Sequence, residues 1–411
     1  MIRSPNLRER TAAMRRRILV ALPDAISLRL RSRSRSRAFP RGDVPPPVTA
    51  PEQPVRLYSA PVNYAAQAFM WARAAERLDG VGAVSMQFRG PSDLGFPADY
   101  SVSEDVFALS GSWARRQRRA VARGFSHVLI HAAYPLFGAA FDGDLEREVA
   151  WLRRRGVAVG LASLGTELRL PSRHAADDAW SPFRQPEQDW VRVLEARALR
   201  TREVFERIAA PVFVATPDLL LDWPGARWLP IVIDPRRWGV GTRPLERTRP
   251  VVLHAPTNPA LKGTALIEPI MERLADEGVI EYRRIVRVPA AEMPALYSRA
   301  DVVLDQFGLG IYATTSIEAM AAGRLVVAHL HDQVRDHIRA ISGLDVPIVE
   351  ATPDTIEEVL RDVAERTDHY RSIAASGPAF VDAVHGGRLS SEVLRSFLGV
   401  PSGRAEAGGG Q

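Results

Sequence analysis

Lys262 is the only lysine in the chain; the other 53 of its 54 Lys and Arg side chains are arginine. It lies in the run His254-Ala-Pro-Thr-Asn-Pro-Ala-Leu-Lys-Gly-Thr264. An apolar run at 251–253 reads as a strand before it, and 265–277 reads as a helix after it. A strand, a loop punctuated by Pro and Gly, and one ammonium at a helix start together make a phosphate site. The free N–H groups and positive dipole end of the helix favour an anion. Lysine adds a compact point charge that the planar arginine fork does not duplicate. Such a lysine is expected to face solvent from its loop and to pack little. The bland alternative is a chance surface residue.

A second unit of the same kind follows about fifty residues on, at Ala300-Asp-Val-Val-Leu-Asp-Gln-Phe-Gly-Leu-Gly-Ile-Tyr-Ala-Thr-Thr-Ser-Ile-Glu-Ala-Met-Ala-Ala-Gly323. Residues 302–304 read as a buried strand, and Gly308 and Gly310 mark a loop. The stretch 313–322 reads as a helix, with Thr314, Thr315 or Ser316 available to cap it and Gly323 to end it. Glu318 falls within the first turns of that helix, and 325–328 is the next strand.

The amino-terminal half offers weaker candidates. Asn63 and Tyr64 sit at the first strand-to-helix turn, where they either line a cleft or, for Asn63, simply cap the helix. His131 ends the strand at 128–130. Glu167 ends another strand in Leu164-Gly-Thr-Glu167, as an acceptor-specificity residue or a capping carboxylate. Asp142-Gly-Asp144 has the form of a metal–diphosphate motif, but a tripeptide this short is common by chance. The histidines show no metal-ligand spacing, and no metal is expected.

These residues need a frame. From 55 onward, short apolar strands alternate with helical patterns. Strands are expected at 56–59, 81–88, 128–130, 157–161 and 212–214. Helices are expected at 64–78, 146–155 and 186–208. A Pro- and Arg-rich run, 231–250, reads as a linker. The alternation restarts at 251, with strands at 282–286, 302–304, 325–328 and 347–349, and a last helix at 388–398. Alternating strands and helices make mostly parallel sheets covered on both faces. Two doubly wound domains place ligands at the carboxyl ends of their strands.

In these residues the sequence resembles the retaining glycosyltransferases of the GT-B fold, the large group 1 or family 4 class. The resemblance runs through most of 55–400 and is sharpest over 251–330. It implies an α/β protein with two doubly wound Rossmann-like domains facing across a cleft: 55–235 on the acceptor side, 236–387 on the donor side, and 388–400 a helix crossing back. In that family a Lys after the first strand of the donor domain binds the diphosphate, matched by Lys262. A Glu on the later helix binds the ribose, matched by Glu318. The family's earlier Glu, eight positions before, is Gly310 here, and its frequent Arg, five before the Lys, is Thr257. The implied donor site is Thr257, Asn258, Lys262, Gly308, Gly310, Tyr312, Thr314 and Glu318. The implied acceptor side is Asn63, Tyr64, His131 and Glu167. His131 resembles the family's histidine that meets the donor sugar or acceptor hydroxyl, so the catalytic set is His131, Lys262 and Glu318. The expected reaction moves a sugar from a nucleotide donor to a hydroxyl acceptor with retention. It needs no protein nucleophile and no cofactor besides the nucleotide-sugar co-substrate. The departures at Gly310 and Thr257 leave two rivals: a non-catalytic sugar-nucleotide-binding protein, and a sugar-nucleotide epimerase of the same fold.

Composition fits a large α/β protein: 411 residues, 46% hydrophobic and 25% charged, with two domains as the natural expectation. There is no cysteine, hence no disulfide framework and no thiolate metal site. No apolar run approaches bilayer length, so a cytoplasmic location is expected. The net charge of +6 belongs to the start of the chain. Residues 1–54 hold twelve Arg against four Asp and Glu, and the rest sums to −2. Low complexity and proline make this segment read as a disordered extension. A basic helix at 14–30 could touch an anionic membrane at the inner face. No RNA-reading module accompanies the Arg-Ser run, so no nucleic acid partner is expected. Residues 401–411 read as a frayed tail.

Overall fold

The computed structural model describes residues 44–401 except 92, 139, 186, 240 and 287. The expectations for 1–43 and 402–411, including the basic helix at 14–30, lie outside the described residues.

Seven strands form the first sheet: β1 (Val55–Ala60), β2 (Val81–Arg89), β3 (Tyr100–Ser103), β4 (His127–His131), β5 (Ala158–Ser163), β6 (Val212–Val214) and β7 (Arg227–Trp228). Their order is β3-β2-β1-β4-β5-β6-β7. Five form the second: β8 (Val251–His254), β9 (Glu281–Arg284), β10 (Val302–Leu304), β11 (Leu325–Ala328) and β12 (Ile348–Glu350), in the order β12-β11-β10-β8-β9. The central strands β8, β10 and β11 are buried along their whole length. That is why they read as unbroken apolar runs rather than alternating ones. They pair in parallel, Val302 beside Val252 and Leu325 beside Val302. Val252, Leu304 and Val327 pack with Ile267, Met271 and Leu274 of the helix Thr264–Asp276.

Both orders reverse direction once, and a doubly wound sheet binds ligands at the strand ends beside that reversal. In the first sheet the reversal lies between β1 and β4, at Ala60 and His131. In the second it lies between β8 and β10, at His254 and Leu304.

The expected strands are present within a residue or two at most ends. The strands β3 and β7, and the helices Glu104–Leu109, Gly111–Gly124, Asp332–Ser342, Ile356–Glu365 and Thr367–His385, add to them. Packing divides the described chain into two compact units. One takes the chain up to Ala162, with Glu203–Val212 and the chain from Ser391 on; the other takes Ser163–Arg202 and Phe213–Ser390. This division differs from a boundary at 235, because 163–202 and 213–235 pack with the second unit. Buried charge ties these two segments to each other: Arg169 pairs with Asp218 at 2.7 Å, both nearly inaccessible, and Arg173 with Asp222 at 2.8 Å.

Part of the segment expected to be an extension, 44–54, is packed instead. Val48 is buried, and its amide donates to Gln117 Oε1 at 2.9 Å. The Tyr100 hydroxyl donates to the Pro46 carbonyl at 2.8 Å. Residues 44–54 thus run along the first unit. Among the described residues, no helix is long and apolar enough to cross a membrane.

Candidate functional site

Lys262 is not the solvent-facing lysine expected. It is 9% exposed, and its ammonium donates to Asp305 Oδ1 and, at 2.9 Å, to Thr315 Oγ1. Asp305 follows β10 directly and is fully buried. Its other oxygen accepts from Ser316 Oγ at 2.6 Å and from the Ala313 amide at 3.4 Å. The first residue before the helix Thr314–Ala321 is Ala313, and no side chain at its own N-terminus caps it. Thr315 and Ser316 turn their hydroxyls to Lys262 and Asp305 instead of capping, and Asp305, just past β10, accepts at the helix start from the Ala313 amide and the Ser316 hydroxyl. One carboxylate therefore fixes both the lysine and the helix start.

Two loops meet to bring this about. The Phe307 amide donates to the Lys262 carbonyl at 3.0 Å. Gly263 has a φ of 68°, and a Cβ there would come within 3.1 Å of the Gly308 nitrogen. Glycine at 263 is thus required twice, by its backbone conformation and by the approach of the second loop. Beneath them His254 is fully buried. It donates from Nδ1 to the Leu304 carbonyl at 3.1 Å and accepts at Nε2 from Thr264 Oγ1 at 2.9 Å. Burial pushes its pKa down to about 4, so it ties β8, β10 and the helix start together as a neutral imidazole.

Glu318 stands one turn into the helix after Asp305. Burial pushes its carboxyl up to about 8; Arg237, then Lys262, pull it down, while Asp305 opposes them and a hydrogen bond with Tyr297 lowers it. Near neutral pH this carboxyl is largely protonated. Arg237 lies in the run expected to be only a linker, and it is the cation that acts most strongly on Glu318.

The remaining donor-side candidates divide. Thr257 and Asn258 are exposed, and Asn258 Oδ1 accepts from the Leu261 amide at 3.3 Å, holding the turn before Lys262. Thr314 is partly exposed at the helix start. Gly308 is buried against the Leu261 carbonyl. Gly310 has a φ of 59°, and a Cβ there would meet the His331 ring at 2.3 Å. The position that carries Glu in the resembled family is therefore filled by an imidazole. Tyr312 is committed elsewhere: its hydroxyl donates to His385 Nε2 at 2.8 Å, and His385 Nδ1 donates to the Ile231 carbonyl at 2.7 Å.

In the first unit, Asn63 does what a capping residue does. Its Oδ1 accepts from the Phe69 amide at 3.2 Å, and its Nδ2 donates to the Pro97 carbonyl at 2.8 Å. Tyr64 beside it is 49% exposed. His131 is fully buried, with Nε2 2.8 Å from Ser59 Oγ and its ring against Trp71. Burial pushes its pKa down to about 3, and its Nδ1 has no protein partner. It is a neutral side chain at the reversal of the first sheet, with nothing reaching solvent.

Glu167 belongs to the second unit. It accepts from Ser163 Oγ at 3.0 Å and from the Leu164 amide, bracing the turn after β5. In Asp142-Gly-Asp144, Asp144 caps the helix Leu145–Arg153 through the Arg147 amide at 3.0 Å, and Asp142 pairs with Arg147 at 3.5 Å. This motif is a helix start.

Sequence reasoning missed Asp305, Tyr297, Arg237 and Ser59, and read Thr315 only as a helix cap. Asp305 carried a signal: it is the first polar residue after an apolar strand, the place where a parallel strand delivers a side chain to a ligand. Arg237 carried none, since its neighbourhood forms only in three dimensions.

No protein-family model matches the chain, and no curated protein matches it. Solved structures do. HepE of Anabaena, in complex with UDP and glucose, is 11% identical over 84% of this chain and 99% of that one, with a TM-score of 0.51. The catalytic domain of starch synthase IV from Arabidopsis thaliana, bound to ADP and acarbose, is 10% identical over 84% and 98%, also at 0.51. Likeness at such identity concerns the fold alone: two parallel α/β sheets in the architecture of the GT-B glycosyltransferases.

Proposed function

We propose that the chain transfers a sugar from a nucleotide-sugar donor to a hydroxyl acceptor, with retention at the anomeric carbon. One observation carries this reading. At the reversal of the second sheet, Asp305 holds an ammonium and a helix N-terminus together, and the Glu318 carboxyl on that same helix lies near enough to feel the charge of both Lys262 and Asp305. Similar folds supply a ligand class, since the structures of HepE and starch synthase IV contain UDP and ADP.

The bond that breaks joins the anomeric carbon to the diphosphate, and charge grows on the leaving oxygen. Lys262 meets that charge, and the amides at the start of Thr314–Ala321 add their dipoles. Arg237 supplies the second cation, in place of the arginine that Thr257 lacks. Glu318, largely protonated near neutral pH, holds the ribose as a neutral carboxyl, accepting from one hydroxyl at its carbonyl oxygen and donating to another from its O–H. The acceptor oxygen bonds to the same face of the anomeric carbon, and its proton passes to the departing phosphate. No metal is assigned to the leaving group. His131 acts through Ser59 as a positioning residue under the acceptor side.

The test is a thermal-shift screen of nucleoside diphosphates and their sugar conjugates, followed by proton NMR of the glycoside formed. Stabilisation by one nucleotide class and a product with the donor's anomeric configuration are expected. An inverted product refutes retention. Free sugar or an epimerised donor formed without any acceptor refutes transfer. Binding without turnover across an acceptor panel leaves a sugar-nucleotide-binding protein.

A further inference from the structure

His329-Leu-His331 follows β11 in the second unit, and its alternation points two imidazoles the same way. Asp178, 151 residues before His329, meets both. His331 Nε2 lies 2.9 Å from Asp178 Oδ2, and His329 Nε2 lies 3.5 Å from the same oxygen. The three candidate donor atoms fall within 4.8 Å of one another. The reading that the histidines show no ligand spacing overlooked this His-x-His pair.

We propose that Asp178, His329 and His331 form a binding site for a divalent transition-metal cation of the zinc class. The donor set is two imidazole nitrogens and one carboxylate oxygen, which suits zinc, cobalt or iron better than magnesium or calcium. The surroundings are built as an outer shell. His329 Nδ1 faces Glu350 Oε1 at 2.8 Å, which leaves the Nε2 lone pair turned to Asp178. A carboxylate on the far nitrogen is the usual partner of a metal-bound histidine. Glu350 is itself held, accepting from the Leu330 amide at 2.8 Å and from Arg335 at 3.3 Å. The other Asp178 oxygen accepts from the Trp180 amide at 2.6 Å.

Exposure fits an ion that enters from one side. The Asp178 side chain is 1% exposed, while those of His329 and His331 are 12% and 25%. Three protein donors leave at least one coordination position, open toward the solvent side of His331. The cation would also fix the His331 ring over the backbone of Gly310. It needs no role in glycosyl transfer, and its test is independent of that reading. The competing account is an ion pair alone, with imidazolium between Asp178 and Glu350.

The experiment uses the full chain without an affinity tag, stripped with a chelator and titrated with Co²⁺. The expected result is one equivalent bound, with visible ligand-field absorption, displaced by Zn²⁺. His331→Ala and His329→Gln, each checked for folding by circular dichroism, should lose the absorption and at least tenfold in affinity. Glu350→Gln should weaken binding by about tenfold and keep the spectrum. No stoichiometric binding by the native chain overturns the proposal. So does binding that both histidine variants retain unchanged.

Discussion

Replacing Lys262 with alanine tests whether the lone lysine is part of the fold as well as of the site. Its side chain is 11% exposed and that of Asp305 is inaccessible. Removing one partner of a buried ion pair costs about 3–5 kcal/mol, because the remaining charge stays buried. Asp305 would keep Ser316 Oγ and the Ala313 amide, which favours the low end, about 3 kcal/mol. In a unit of roughly two hundred residues each kcal/mol moves Tm by about 2–4 °C. The expected drop is therefore about 6–12 °C, read by differential scanning calorimetry and by urea denaturation. Lys262→Met with Asp305→Asn removes both charges and should recover most of the loss. A nucleoside diphosphate at a hundred times its Kd should stabilise the native chain by about 2.7 kcal/mol, and the Lys262→Ala chain far less. If Lys262→Ala melts within about 1 °C of the native chain, Asp305 is not the buried partner described and the coupling of fold to site is wrong.

Glu318→Gln should weaken nucleotide affinity by about tenfold or less, from a neutral hydrogen bond worth about 0.5–1.5 kcal/mol. The folded carboxyl sits at about 8 and the free one at 4.5, so the unfolded chain loses that proton first. Stability should fall as pH rises from about 4.5 to 8, and Gln should flatten that part of a urea-stability profile; an unchanged slope refutes the assignment. Arg237→Ala, at an exposed residue, should lower nucleoside-diphosphate affinity about tenfold, worth 1.4 kcal/mol, with no change in Tm; a shifted Tm at unchanged affinity marks a structural arginine instead. Deleting 1–43 should leave Tm unchanged, whereas deleting 1–54 strips out buried Val48 at a cost of about 1.5–3 kcal/mol. Equal melting of the two truncations refutes the packing of 44–54, and equal liposome binding by full-length and shortened chains at low salt refutes membrane contact by the basic segment.

The parallel sheets were legible because their central strands are buried on both faces. Unbroken runs such as Val251-Val-Leu253 and Leu325-Val-Val-Ala328 can hardly be read otherwise. The strands β3 and β7 were not, since Tyr100–Ser103 is partly exposed and polar and Arg227–Trp228 is two residues long. Within the site, Lys262 and Glu318 stood out by type and spacing. What they touch did not, because Asp305 lies 43 residues beyond Lys262 and Arg237 acts on Glu318 from a Pro-rich run. The His331 ring over Gly310 is the clearest case. A missing side chain in the sequence reads as a vacancy, and only the fold shows an imidazole from the next strand end in its place.

The solitary lysine against Asp305 makes the chain its own reporter. Apart from the terminal amine, an amine-directed reagent has one target in 411 residues, and a lysine-specific protease has one bond to cut. Both are shielded while the ammonium is held between Asp305 and Thr315. Acylation rate or cleavage at this single position thus measures how often the strand-end clasp opens, and whether a phosphate compound keeps it shut, with no label engineered into the protein.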